Sequence, residues 1–486
     1  MLERRDEIER VVQVTPADQP TMLLVEKVQD ALKDHALKDH ALKDYAGRVE
    51  TPLESIIQIR VPIGTLDPVQ WLRKQTQQAK LFWESRDEAF FSAAVGIADE
   101  VKEIGESSFG ELKRIVETRL EKTSRSIKYY GGIRFDNGHA NGIDWPALGN
   151  FHFVLPRFEI QRIEGNYALC CNLVLPRDAD KKEQIVKEIE EINLPEHTLS
   201  GECPLPISRK DSPEESKWNQ VVNHALSMIR SNYVLEKVVL ARKVEFSFAE
   251  RFDKFLLFKL LRDATPSCFH FYFQVQKDSA FLGAPPERLY HRRKTSIVSE
   301  AVAGTGRRDH LNALDIELGH ALLLSDKDQR EHAFVRSSIE RVFGKICTSL
   351  KMDKTPSLMN LSIGRHLVSK FQGNLRQGVS DIDILEQLPP TSAVGGHPKK
   401  EAIETIRDLE SFDRGWYAGP IGWMSKDAAE FAVAIRSGVA SGDTLSLYSG
   451  AGIVDGSEPD AEWSEIEQKI GDFIKALGLD QKSAKY

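Results

Sequence analysis

The chain has 486 residues, 41% of them apolar and 28% charged, values near those of an ordinary soluble globular protein. At roughly 150 residues per domain it has room for about three domains, and a chain this long can bury a large core, which excludes global disorder. Lys and Arg total 65 against 73 Asp and Glu, a formal charge of −8, so the basic footprint of a nucleic-acid binder is absent.

The stretch LERRDEIER after Met1 is too charged to be a signal-peptide core. There is no run of about 18 apolar residues, so no transmembrane helix is expected. The cysteines Cys170, Cys171, Cys203, Cys268 and Cys347 are odd in number and form no C-x-x-C. They read as reduced thiols of a cytoplasmic protein.

Residues 31–45, ALKDHALKDHALKDY, are three near-copies of a five-residue unit. Five does not match the 3.6-residue helical period, so its leucines cannot hold one face. The stretch reads as a solvated low-complexity insert rather than a histidine metal tract. Strands are expected at 55–63 and 151–160. A helix over 108–122 places Leu112, Ile115, Val116 and Leu120 on one face. Nothing between 50 and 205 suggests catalysis. The proline-rich CPLPISRKDSP, 203–213, is the best internal boundary.

Ser212-Pro213-Glu214-Glu215 then reads as a capping box with proline at the first helical position. It opens a helix whose apolar face holds Trp218, Val221, Val222, Ala225, Met228 and Ile229. Strands are expected at 237–246, at 269–275 with alternating faces, and near 280–303. A long helix follows over 326–350, then strands at 430–436 and 444–449, and a final helix over 459–477. Runs of strands separated by helices predict an α+β fold with large, mostly antiparallel sheets.

Several residues could carry chemistry. Glu331 shares a helical face with Val335, Ser338, Ile339 and Val342, so its carboxylate points inward, either to a salt bridge or to a metal. Glu462, Glu465 and Lys469 fall at i, i+3 and i+7 beside the stripe Trp463, Ile466, Ile470, Phe473 and Leu477. Two carboxylates there suit a hard cation such as Mg²⁺; a solvated Glu/Lys face is the alternative. Gly450 and Gly452 follow the strand TLSLY, and Gly304 with Thr305 lies in AVAGTGRR. Such glycine-bearing loops allow close backbone approach and amide donors for an anion. Neither continues as a dinucleotide fingerprint or a Walker A loop. A third glycine-bearing loop, PPTSAVGGHPK, contains Ala393.

Arg436 ends EFAVAIR, on the strand face that carries Ala432 and Ala434. It could grip a carboxylate or reach solvent. Lys237 opens KVVLAR beside a buried sheet, where a desolvated lysine can act as a base. Glu287 follows two prolines in LGAPPERL, where a carboxyl in an apolar setting can act as an acid. Taken singly, Lys237 and Glu287 each fit a surface role better than a catalytic one, and Arg436 fits either equally.

Seven blocks appear together and in order: EKVVLAR, FLGAPPERL, EAVAGTGRR, SDKDQREH, PPTSAVGG, FAVAIRSG and YSGAGIVDGSEPDAEWSEIEQK. Over about 215–475 the chain resembles the chorismate-utilising enzymes, which include isochorismate, anthranilate, aminodeoxychorismate and salicylate synthases. Its long N-terminal part resembles the menaquinone-type isochorismate synthases. The resemblance implies three regions: an N-terminal segment, 1–50; an α/β region packed on the catalytic part, 51–205; and a chorismate-binding catalytic region, 206–480. It implies that Lys237 activates water and Glu287 is the general acid. Glu331 and Glu465 would bind Mg²⁺, with Glu462 near it through water. Arg436, the backbone at Gly450 and Gly452, and the Gly304-Thr305 turn would hold a substrate carboxylate, with Lys469 beside the metal and the ring carboxylate.

Lys237 points to water rather than ammonia as nucleophile, so no amidotransferase partner is expected. Ammonia-using relatives and those that eliminate pyruvate tend to have threonine at the Ala393 position. The product implied is isochorismate. Salicylate synthase, a siderophore-pathway isochorismate synthase, an anthranilate- or aminodeoxychorismate-forming subunit and a non-catalytic chorismate-binding protein stay open as alternatives. Pro285, where the family often has serine, and Pro389, where many members have histidine, depart from the pattern and could reshape the pocket rim.

Overall fold

A computed structural model describes residues 19–479, apart from 46–54, 103–107, 122, 137–144, 146–147, 232–233, 309–311 and 362–363. Every named strand pair is antiparallel. The α+β expectation therefore matches the architecture. No helix among the described residues is long and apolar enough to cross a membrane.

Two arms of sheet diverge from the strand Phe151–Ile163. One arm runs outward from Phe151–Ile163 through Phe90–Lys102, Lys80–Glu84, His270–Gln276, Ser279–Gly283, Ser437–Ser441 and Thr444–Val454 to Lys237–Ser247. On its far side Phe151–Ile163 pairs with the hairpin partner Asn166–Leu175, which pairs with Ser55–Ile63. The second arm leaves through Tyr129–Ile133, Pro420–Met424, Ala428–Val433, Arg288–Arg293 and Ser296–Arg307 to Gly364–Leu375. Strand hydrogen bonds thus join residues 80–84 to 270–276 and 129–133 to 420–424.

Local sequence explains the helices that matter for the site. Ser325 caps Asp326–Ile346 by accepting from the Asp328 amide at 3.3 Å, and Asp326 and Asp328 complement the helix dipole. Val335, Ile339, Phe343 and Ile346 are buried at helical spacing. The expected helix to 350 stops earlier, because Cys347–Met352 pairs as a strand with Gly364–Leu375. The expected final helix breaks at Ile470 into Pro459–Lys469 and Gly471–Ala476, yet Trp463, Ile466, Ile470, Phe473 and Leu477 are all buried.

Other expectations change. The helix Pro20–Tyr45 runs through the five-residue repeat, for which no secondary structure was expected. Leu24, Val28 and Leu32 hold its buried face at i, i+4 and i+8, and the repeat continues from that docked turn. The capping box at Ser212 does not form: Ser208–Ser212 is a strand paired with Lys237–Ser247, and the helix starts later as Glu215–Ser231. The alternating segment 269–275 is buried on both faces over most of its length, because the Lys80–Glu84 and Ser279–Gly283 strands flank it and helix Lys254–Ala264 packs nearby. His270 is satisfied there by Thr265 and Glu84.

Candidate active site

One pocket takes walls from both arms and two helices. It is lined by Glu287, Gly304, Thr305, Glu331, Ala393, Arg436, Gly450, Gly452, Glu465 and Lys469, which the sequence reading had named separately. Lys237 and Glu462 are not among its lining residues: Lys237 bonds the lining residue Glu331, and Glu462 bonds Lys327.

Lys237 begins the strand Lys237–Ser247 and is fully buried. Its backbone is held on one side by Val454 and on the other by His397. Its Nζ lies 3.0 Å from Glu331 Oε1, so the expected solitary desolvated lysine has a counter-ion. Glu331 projects from the second turn of Asp326–Ile346. Gly452 makes this pair possible: a Cβ there would land against Glu331 Oε1 and 2.9 Å from Lys237 Cε.

Glu287 sits between strands Ser279–Gly283 and Arg288–Arg293, with its carbonyl accepting from the Val433 amide at 3.1 Å. It is 2% exposed. Burial, and then the nearby Glu300 carboxylate, push its carboxyl up to about 8, against the pull of Lys237 and Lys469. It therefore holds a proton at neutral pH and can donate it.

The helix Pro459–Lys469 carries the second acidic set. Lys469 Nζ lies 2.7 Å from Glu465 Oε1 and donates to the Gly450 carbonyl at 2.8 Å. Thr305 donates to the same Glu465 oxygen at 3.2 Å. Against the upward push of burial, Lys469 holds Glu465 below the usual carboxylate range. Glu462 is buried and pairs with Lys327 at 2.6 Å. Burial and the Glu465 charge still raise it.

These residues fit a hard divalent cation. Glu331 and Glu465 offer oxygen ligands to one pocket from facing helices, and three lysines now balance the carboxylates that a cation would balance. No three Asp, Glu, His or Cys side chains among the described residues form a ready-made cage. A cation held here would keep water or substrate oxygens as further ligands, which is the magnesium habit.

Arg436 is differently placed than its sequence suggested. The strand Ala428–Val433 ends before it, and Arg436 adopts a left-handed turn with φ 49°. Its Nη1 donates to Asp472 Oδ2 at 2.7 Å. Its Nη2 faces His366 Nε2 at 3.4 Å, while His366 Nδ1 faces the Gly304 carbonyl at 3.2 Å. A proton on Nδ1 satisfies both contacts. Burial, and then Arg436 and Lys469, lower His366 to about 3, so the ring is neutral. The turn thus presents a guanidinium braced from two sides.

The glycine-bearing segments are also corrected. Gly450 and Gly452 lie inside the strand Thr444–Val454, opposite Ala241 and Val239, rather than in a loop after it. Gly304 and Thr305 form a bulge inside Ser296–Arg307, with Gly304 at φ 77°. Ala393 remains on the irregular segment after Pro390. Pro389 does not reach this pocket; it lines a separate cleft with Phe109 and Lys399, and its carbonyl accepts from Lys399 Nζ at 2.6 Å. Pro285 accepts from the Phe269 amide at 2.9 Å, and Pro286 is the proline that lines the pocket.

The sequence reading missed His366, Asp472, Lys327, Tyr417 and Tyr448. Asp472 interrupts the buried stripe of the last helices, and Lys327 stands between two aspartates, so both left a signal. His366 in an apolar strand reads as a core histidine, and the tyrosines read as core aromatics, so neither left one.

Comparison with known proteins identifies the family and the fold. The profile of a family described as chorismate binding enzyme matches residues 41–478. Isochorismate synthase 2, chloroplastic, of Arabidopsis thaliana is 31% identical over 87% of this chain and 80% of its own length. Isochorismate synthase MenF of Escherichia coli (strain K12) is 30% identical over 88% of this chain and 95% of its own. The solved structure of MenF, the menaquinone-specific isochorismate synthase from Escherichia coli, matches with a TM-score of 0.77 at 28% identity, over 90% of this chain and 98% of that one. With nine-tenths of its length matched by the family profile and its fold shared with a solved isochorismate synthase, the chain belongs to the chorismate-binding enzyme family.

Proposed function

We propose that the protein is an isochorismate synthase, a Mg²⁺-dependent isomerase that converts chorismate to isochorismate in the cytoplasm, for menaquinone synthesis. The observation that carries this reading is the buried Glu287 carboxyl, protonated at neutral pH, in a pocket whose wall residue Glu331 holds the buried amine of Lys237 at 3.0 Å. An acid and a base set apart by their surroundings are what an exchange of hydroxyl position needs.

Chorismate carries two carboxylates and an allylic hydroxyl. Arg436, braced by Asp472 and His366, grips one carboxylate together with the Gly304-Thr305 turn, and Lys469 faces the ring carboxylate. Glu331 and Glu465 would hold the Mg²⁺, with Glu462 nearby; a cation bound there would supply positive charge to neutralise the ring carboxylate and draw electron density from the ring. Lys237, in its neutral form, takes a proton from the water that attacks C2. The Glu331 contact that holds its ammonium is therefore a resting pair. Glu287 gives its proton to the C4 hydroxyl, which leaves as water while the ring double bonds shift. One water enters and one leaves, so the step is reversible. The nucleophile is water, and no ammonia-supplying subunit is needed. In this reading residues 206–480 carry the catalytic groups and residues 51–205 pack on them.

The test is incubation of purified protein with chorismate and Mg²⁺, with and without ammonium, followed by chromatography. A mixture of chorismate and isochorismate, lost on adding EDTA, is expected. Salicylate with pyruvate, or an aminated product, would move the protein to another branch of its family. Lys237→Ala and Glu287→Gln should each lower turnover by about 100-fold or more; normal turnover in either would remove that residue's role.

A further inference from the structure

Arg86 lies in the turn between Lys80–Glu84 and Phe90–Lys102, in a stretch without any motif that suggests catalysis. Its side chain crosses to the back of the pocket. Nη1 donates to the Pro286 carbonyl at 2.8 Å and to Glu300 Oε2 at 2.8 Å, and Nη2 donates to Glu300 Oε1 at 2.7 Å. Pro286 immediately precedes Glu287, so one guanidinium grips the loop and the carboxylate behind it. The fork is bidentate, a geometry that fixes direction as well as charge. Arg288, the next residue after Glu287, lies 3.6 Å from Glu300 and 3.2 Å from Glu430. Ser85, beside Arg86, donates to Glu430 at 2.7 Å. Two residues of the N-terminal turn therefore close a network of two carboxylates and two guanidiniums around the Pro286–Arg288 segment.

We propose that Arg86 is a positioning residue for the reaction: it aims the Glu287 carboxyl into the pocket and balances the Glu300 charge that this carboxyl faces. The inference rests on the reading of Glu287 as proton donor. The charged groups facing Glu287 are Glu300, which pushes its affinity for protons up, and Lys237 and Lys469, which pull it down. Arg86, Arg288 and Glu430 surround Glu300. Removing Arg86 leaves the Glu300 charge less balanced. Removing the Glu300 charge leaves Arg86 and Arg288 unopposed. The two changes push Glu287 in opposite directions, which a merely structural lesion would not do.

The test compares wild type, Arg86→Met, Arg86→Lys and Glu300→Gln for kcat, KM and the pH dependence of kcat/KM with chorismate and Mg²⁺. Arg86→Met should lower kcat about tenfold or more with a much smaller change in KM. The limb of its pH profile that reports Glu287, near pH 8 in the wild type, should move up. The limb of the near-isosteric Glu300→Gln should move down. Arg86→Lys, which keeps the charge without the fork, should recover the wild-type limb but only part of kcat. An unchanged kcat in Arg86→Met, or limbs that move together or not at all, would overturn the proposal. If Arg86→Met does not fold, the limb of Glu300→Gln decides it, and an unmoved limb overturns it. A wild type that fails to convert chorismate would instead remove the proposed function, a distinct result.

Discussion

Gly452 and Gly396 show how one missing side chain can serve two different ends. At Gly452 an added methyl would meet Glu331 Oε1 and Lys237 Cε, the far ends of two flexible side chains. Gly452→Ala should therefore fold with stability close to wild type, while the Lys237–Glu331 pair is pushed apart and kcat/KM falls about tenfold or more. A melting curve and steady-state kinetics on one preparation check both halves. At Gly396, φ is 140° and a methyl would run into the Lys237 backbone carbonyl, which cannot swing away. Glu287 adds a second residue-scale consequence. Its folded carboxyl titrates near 8, against about 4.5 when free, so the native state binds more protons than the unfolded one across that window. The raised value means stability is greatest below the free value and is lost as pH rises through 8. Glu287→Gln lacks this burden. Its melting temperature should exceed that of wild type by a margin that grows from pH 5.5 to pH 8.5, while activity is lost; a margin that shrinks with pH would contradict the assignment.

Among the elements, the helix Asp326–Ile346 was the most legible. Its cap, its acidic first turn and its apolar spacing all agree, and Val335 and Ile339 are fully buried as the face required. Ser325 accepts from the Asp328 amide and donates to Asp328 Oδ2 at 2.5 Å. Ser325→Ala should cost about 1 kcal/mol in denaturant unfolding. The helix ends were less legible. Cys347 leaves the helix because the strand edge of Gly364–Leu375 offers its backbone partners, a non-local reward that propensity does not encode. The same reason moves the boundary at Ser212, where pairing with Lys243 outcompetes an N-terminal helical turn. The repeat within Pro20–Tyr45 went the other way: its Ala, Leu and Lys favour helix, and the packed turn at Leu24, Val28 and Leu32 supplies the nucleus that a drifting apolar face lacks.

At the scale of the molecule, the N-terminal stretch completes both sheet arms. Strand Lys80–Glu84 pairs with His270–Gln276, and Tyr129–Ile133 pairs with Pro420–Met424. Expressing residues 206–486 alone would bare one edge of each of these buried strands, along with Phe271, Phe273 and Trp423. That fragment should aggregate or melt non-cooperatively, as size-exclusion chromatography and calorimetry would show; a monomeric fragment with a sharp melt would count against this view of the sheet.

From the sequence alone came the fold class and the core faces, which depend on periodicity and residue type, both local properties. The site groups could be singled out one by one, but what joined them into one site was the resemblance to the chorismate-utilising enzymes. Only the tertiary structure decided that Glu331 meets Lys237 across 94 residues of chain and that Arg436 is braced by Asp472 and His366. It also decided that Arg86 backs the Glu287 loop from 200 residues away. Each is a contact of a charged side chain with partners that share no periodic pattern with it, because burial makes a charge costly wherever it lies and the fold alone determines which partner comes within reach.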